Sequence, residues 1–158
     1  MDQAYAAVGR AIVAAQIFET VLVPIFELHR IHTEPGRLDQ TRGFLSAGAF
    51  KVPVANLIKI LRDRGGIAPD LEARLSTYVE DRHLLVHRWV QENPLPDDQD
   101  PATLLPLMEH ALKVEREANE LARIIVGYVL KYGGSAADPD EFSTKMATMF
   151  QAAHKEPK

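Results

Sequence analysis

The chain has 158 residues, long enough to bury a core without metal or disulfide support, and its 46% hydrophobic and 25% charged residues suit a globular rather than a disordered or fibrous protein. It has no cysteine, which excludes a disulfide framework, a zinc–thiolate site and a cysteine nucleophile and makes a reducing cytoplasm the expected location. A net charge of −4 argues against non-specific coating of nucleic acid.

Residues 3–30 read as one helix with two adjacent apolar rows, one of them Tyr5, Val8, Ile12, Ala15, Leu22 and Phe26. The periodicity continues past Pro24, so a kink rather than an end is expected there. Arg10, Gln16, Glu19 and Glu27 interrupt the apolar stretch at intervals that read as too short for a membrane span or a signal sequence. Glu19 falls in the apolar row, between Ala15 and Leu22, so its carboxylate is expected to meet a buried cation.

The run Thr33-Glu34-Pro35-Gly36 reads as a turn, and residues 37–50 as a short or irregular helix, because Gly43 and Gly48 weaken it. Pro53 suits the first turn of a helix reaching about Asp63, with Val54, Leu57, Ile58 and Leu61 on one side and Gly65-Gly66 as its stop. Residues 29–66 carry seven Lys/Arg against three acids, so a surface for a polyanion would come from here; residues 94–121 reverse the balance, with seven acids against two Lys/Arg.

Pro69-Asp70 opens the next helix, with Asp70 as its expected cap, and Asn93-Pro94-Leu95-Pro96 should stop it near Glu92. Pro101 starts the longest helix, where Leu104, Met108, Ala111, Ala118, Ala122, Ile125, Val129 and Tyr132 form the seam of a helix packed nearly antiparallel to its neighbours. Glu115 takes the missing seam position. Gly133-Gly134 ends this helix, and residues 138–153 read as a short amphipathic helix with Phe142, Met146, Met149 and Phe150 on one face. No segment alternates with period two over strand length. The expected fold is a single all-α domain, an up-and-down bundle of four main helices plus a short C-terminal helix.

The informative stretch lies within the helix over residues 69–92. Its apolar row is Leu71, Leu75, Tyr78, Leu85 and Trp89, and at roughly 100° per residue Arg82 lies within about 60° of each of them. A guanidinium on a buried stripe needs a partner, and Glu19 and Glu115 are the candidates. Glu80, His83 and His87 lie together about 100–160° round the helix from Arg82.

The segment Arg82-His83-Leu84-Leu85-Val86-His87 resembles the Arg-x(4–6)-His motif of HEPN (higher eukaryotes and prokaryotes nucleotide-binding) domains, with a polar residue directly after the Arg. The resemblance covers this motif and the bundle architecture, not the whole chain. It implies an all-helical, homodimeric domain that cleaves RNA without a metal, as a toxin or defence effector with a cognate antitoxin. The residue types fit: an imidazole at His87 takes the 2′-hydroxyl proton, Arg82 stabilises the charge of the phosphorane, and His83 positions His87 or the phosphate. Arg82 and His87 are about 140° apart on one helix, so the resemblance implies a two-fold dimer that brings two motifs into one groove. One branch of the family carries a modified tyrosine two positions after the His; here that residue is Trp89, which puts that mode of control in doubt.

Two other readings stand beside it. Glu80, His83 and His87 are spaced as metal ligands on one patch of helix, with His29 and His110 as remote candidates, although a metal leaves Arg82 unexplained. Otherwise Arg82 is a core arginine paired with Glu19 or Glu115, and the protein is a non-catalytic dimerisation or adaptor module. His29, His32, His110 and His154 are read chiefly as surface residues.

Overall fold

The computed structural model describes residues 2–41, 48–64 and 66–133, and among these all regular secondary structure is helical. Helix α1 (Asp2–Thr33) is followed by the short α2 (Arg37–Thr41), a 3-10 turn at Ala49–Lys51 and α3 (Val54–Asp63). Helix α4 (Pro69–His83) passes through a π-helical turn, Leu84–Arg88, into α5 (Trp89–Glu92), and α6 (Pro101–Gly133) closes the bundle. Residues 42–47 and the amphipathic segment expected at 138–153 lie outside the described residues.

Proline and asparagine place the ends. Helix α1 runs through Pro24 and α6 through Pro106, so neither ring ends its helix. Pro53 is the N-cap of α3, and its carbonyl accepts from the Asn56 and Leu57 amides at 2.9 and 3.3 Å. Helix α4 has Pro69 in its first turn, and Ala68 rather than Asp70 is its N-cap; Asp70 favours the helix by its charge alone. Helix α5 stops where Asn93, held extended ahead of Pro94, donates amide and side-chain hydrogen bonds to the Trp89 carbonyl.

The most extensive helix contact is between α1 and α6. The two run in parallel: Asp2 and Gln3 share a cleft with residues of the first two turns of α6, Arg10 meets Glu115 at 3.3 Å, and Leu22 lines a second cavity with Ile125. Helix α4 is antiparallel to both. Phe18 packs edge-on to Tyr78, with ring centroids 5.1 Å apart, Arg74 donates to Glu117, and Lys113 reaches Asp81 at 2.7 Å. The seam of α6 is therefore antiparallel on its α4 side and parallel on its α1 side.

The buried face of α1 is its smallest one. Ala4, Ala7, Ala11, Ala14 and Ala15 are buried with Phe18, Val21 and Leu22, whereas Tyr5 is 48% and Ile12 37% exposed. Short side chains let two helices approach closely, so α6 covers the alanines and leaves the bulkier neighbouring row outside in the first half of α1. On α6 the buried set likewise includes Leu107, Val114 and Leu121, a row beside the expected seam, while Leu104 and Met108 are only half buried. Helix α1 is long and apolar enough to span a membrane by length and composition, so its polar interruptions do not set the limit expected of them; more than half of that apolar window is buried inside the bundle.

Charge holds the turn after α1. Glu27, 3% exposed, accepts from Arg37 of α2 at 2.9 and 3.1 Å and from Arg30 at 3.4 Å. Arg30 also donates to Glu34 at 2.7 and 2.8 Å, and Arg64 after α3 meets the same carboxylate. Hydrogen bonding by Arg30, with Arg64 adding to it, holds the Glu34 carboxyl down at about 2.

Two measurements follow. Ala118→Leu, at a fully buried position, should lower stability by about 1–3 kcal/mol in chemical unfolding, whereas Ile12→Ala should cost about 0.5 kcal/mol or less; the reverse order would mean that the bulky row is the core. Glu34→Gln should lower the melting temperature at neutral pH. Because the folded carboxyl titrates below its unfolded value, the wild-type advantage is present above the ordinary glutamate range and fades as pH falls toward about 2; a pH-independent difference would contradict the pairing.

Candidate functional site: a cationic cleft at Arg82

Arg82 is in the last turn of α4, two residues before the π turn begins at Leu84. A π turn bonds i to i+5 and advances less round the axis per residue than an α-helix, so it sets the following residues back. Leu85 and Trp89 stay buried with Leu75 and Tyr78, and His83, Val86 and His87 are left exposed. The stretch expected to be plain α-helix is irregular at the motif itself. Single π turns of this kind occur frequently at functional sites.

The Arg82 side chain is 34% exposed, and its Nη2 lies 3.0 Å from Oε1 of Glu19, itself 31% exposed. Of the two carboxylates considered for it, Glu115 instead pairs with Arg10 of α1. The guanidinium is only partly used, because its Nε is buried without a hydrogen-bond partner among the described residues. Arg82 and Glu19 line a cleft of about 330 Å³ together with Tyr78, Val79 and His83, and Lys51 with Val52 and Pro53 form its other wall. Tyr78 is fully buried, and its hydroxyl likewise has no partner among the described residues. Burial pushes that hydroxyl well above the usual tyrosine range; Arg82 opposes the shift and Glu19 adds to it.

His83 lines the cleft, and its ring centroid is 4.9 Å from that of His87, which does not line it. The structure therefore joins Arg82 to His83 directly and to His87 only through His83. Lys51 and Tyr78 are the site residues that the sequence did not single out. The charge surplus of residues 29–66 held the signal for Lys51, and Tyr78 looked like an ordinary member of the apolar row.

The metal-ligand arrangement is not assembled. Glu80 is 73% exposed and pairs with Arg88 at 3.3 Å, and among the described residues no three His, Asp or Glu side chains are grouped to hold an ion. Neither remote candidate, His29 or His110, lines the cleft at Arg82. The His110 ring is 5.4 Å from that of Trp89 and donates from Nε2 to the Asp81 carbonyl at 2.9 Å. His29 packs against Gly66, where an added Cβ would be 2.8 Å from its Nε2, and that nitrogen is buried. Neither is the simple surface residue expected.

No protein-family model matches the chain, and no curated protein or solved structure matches it at a significant level.

The pairing at the cleft is open to a double-mutant cycle. Arg82→Ala and Glu19→Ala should couple by about 0.5–1 kcal/mol, as expected of a half-exposed pair. Arg82→Ala and Glu115→Ala should be additive, and coupling in the second cycle instead of the first would reassign the partner.

Proposed function

We propose that the protein is a metal-independent endoribonuclease of the HEPN type, cytoplasmic and homodimeric, acting as a toxin or defence effector. The observation that carries this reading is the juxtaposition of a half-satisfied guanidinium, Arg82, with a pair of exposed, neighbouring imidazoles, His83 and His87, around a π turn. Cleavage of RNA by its own 2′-hydroxyl needs those two functions, a fixed positive charge and a proton carrier. His87 accepts the 2′-hydroxyl proton as that oxygen attacks phosphorus. The P–O5′ bond breaks, the 5′-oxygen takes a proton from a protonated histidine of the apposed motif, and a 2′,3′-cyclic phosphate remains. Arg82 stabilises the charge gathered on the non-bridging oxygens, and His83, stationed between the two, orients His87 and the phosphate. Apposition of two motif faces across a dimer would supply the second histidine pair. A small antitoxin protein is the partner such an effector would need, and because Trp89 is largely buried, modification at that position is not its route of control.

The ion pair between Arg82 and Glu19 favours a second reading, in which Arg82 is a packing residue and the protein a non-catalytic dimerisation module.

Purified wild-type protein in EDTA should cleave single-stranded RNA and leave a 2′-deoxy-substituted oligonucleotide intact. Arg82→Ala and His87→Ala should each lower the rate at least about 100-fold with helicity unchanged by circular dichroism. Absence of cleavage of any total-RNA preparation by the wild type, with His87→Ala indistinguishable from it in cells, would leave the second reading.

A further inference from the structure

The cleft at Arg82 is lined by two residues that each carry a buried polar atom satisfied by none of the described residues, and both atoms can donate a hydrogen bond. Arg82 Nε is a permanent N–H donor, and the Tyr78 hydroxyl stays protonated because burial disfavours its anion. Lys51 stands on the opposite wall, so the lining carries two fixed cations, Arg82 and Lys51, against the single carboxylate of Glu19, before His83 is considered. Unsatisfied donors backed by surplus positive charge call for an oxyanion with several acceptor atoms. Glu19 already holds Nη2 of the Arg82 guanidinium, so an incoming oxyanion competes with its carboxylate for that nitrogen.

We infer that the cleft between α1, the 3-10 turn and α4 is a phosphate-binding site in which Arg82, Tyr78 and Lys51 hold the phosphate group of an RNA strand or its cleavage product, with Glu19 as the displaceable occupant. The inference rests on the ribonuclease reading only for its choice of RNA as the carrier of the phosphate. Each protomer then grips a phosphate within its own fold, and the dimer has only to present His87. Displacement of Glu19 turns the Arg82 guanidinium toward the ligand and brings its Nε and the Tyr78 hydroxyl out of their dry positions. Bound RNA thereby completes the hydrogen bonding that the free protein lacks.

Binding of inorganic phosphate and of a 3′-phosphorylated dinucleotide to the full chain tests this by calorimetry, without any cleavage readout. Both probes should bind, the dinucleotide more tightly if the carrier is RNA and equally if the site takes free phosphate. Tyr78→Phe keeps the packing and removes one oxygen; it should weaken binding about tenfold while leaving the melting temperature equal or higher. Lys51→Ala should weaken binding similarly and reduce its salt dependence, and Glu19→Gln should tighten it. Failure of either probe to bind, or Tyr78→Phe and Lys51→Ala binding like wild type, overturns the inference even if RNA is cleaved. Binding with these effects and no cleavage keeps the site and removes the ribonuclease reading.

Discussion

The close packing of α1 on α6 is the constraint from which the rest of the fold follows. Alanines at positions 4, 7, 11, 14 and 15 give α1 a face with almost no relief, and α6 answers with Ala111, Ala118 and Ala122 between larger side chains. Helices in such contact gain dispersion along their whole length, and they can run in parallel only if the chain between them returns to its starting end. Helices α4 and α5 make that return. Their direction sets Phe18 beside Tyr78 and Glu19 beside Arg82, so the contents of the cleft are decided by the register of α1 on its neighbours.

The short elements between α1 and α4 depend on a different force. Helices α2 and α3 are too short to be stable in isolation, and at their end of the bundle carboxylates and guanidiniums alternate: Arg37 on Glu27, Arg30 on Glu27 and Glu34, Arg64 on Glu34. Glu27 is the costly member, because a desolvated carboxylate is tolerable only with its donors in place. Those pairs account for much of the basic surplus of this segment. Lys51 at the 3-10 turn is left to charge the cleft.

The sequence revealed more of the fold than of the site, for reasons visible in single residues. Proline and asparagine act locally, so Pro53, Pro69, Asn93 and Pro101 mark helix boundaries from the sequence alone. Apolar periodicity identified the helices, but it weights bulk, and the face that packs best here is built of alanine; Tyr5 and Ile12 were therefore set on the wrong side of α1. Arg82 was conspicuous because a charge on an apolar stripe violates the pattern. The π turn was hidden, since nothing in Leu84-Leu85-Val86-His87-Arg88 departs from helical propensity and the extra residue is a compromise between the packing of Tyr78, Leu85 and Trp89. Tyr78 was hidden for the opposite reason, because its ring obeys the pattern and only its hydroxyl does not.

That hydroxyl bears on how the whole cleft should be understood. A buried donor left without a partner costs about 1–3 kcal/mol, and two residues of the cleft lining, Tyr78 and Arg82, each carry one that no described residue satisfies. Packing does not require either: phenylalanine would fill the space of Tyr78 against Phe18, and a core arginine retained for stability alone would be expected to meet Glu19 through both Nε and Nη2, as Arg30 meets Glu34. An ion pair that engages Nη2 of the guanidinium while Nε on the same edge and the Tyr78 hydroxyl stay dry is an arrangement held short of its own minimum. Such a deficit would be relieved by a ligand with more acceptors than one carboxylate offers, and His83, exposed on the cleft lining, stands beside the place it would take.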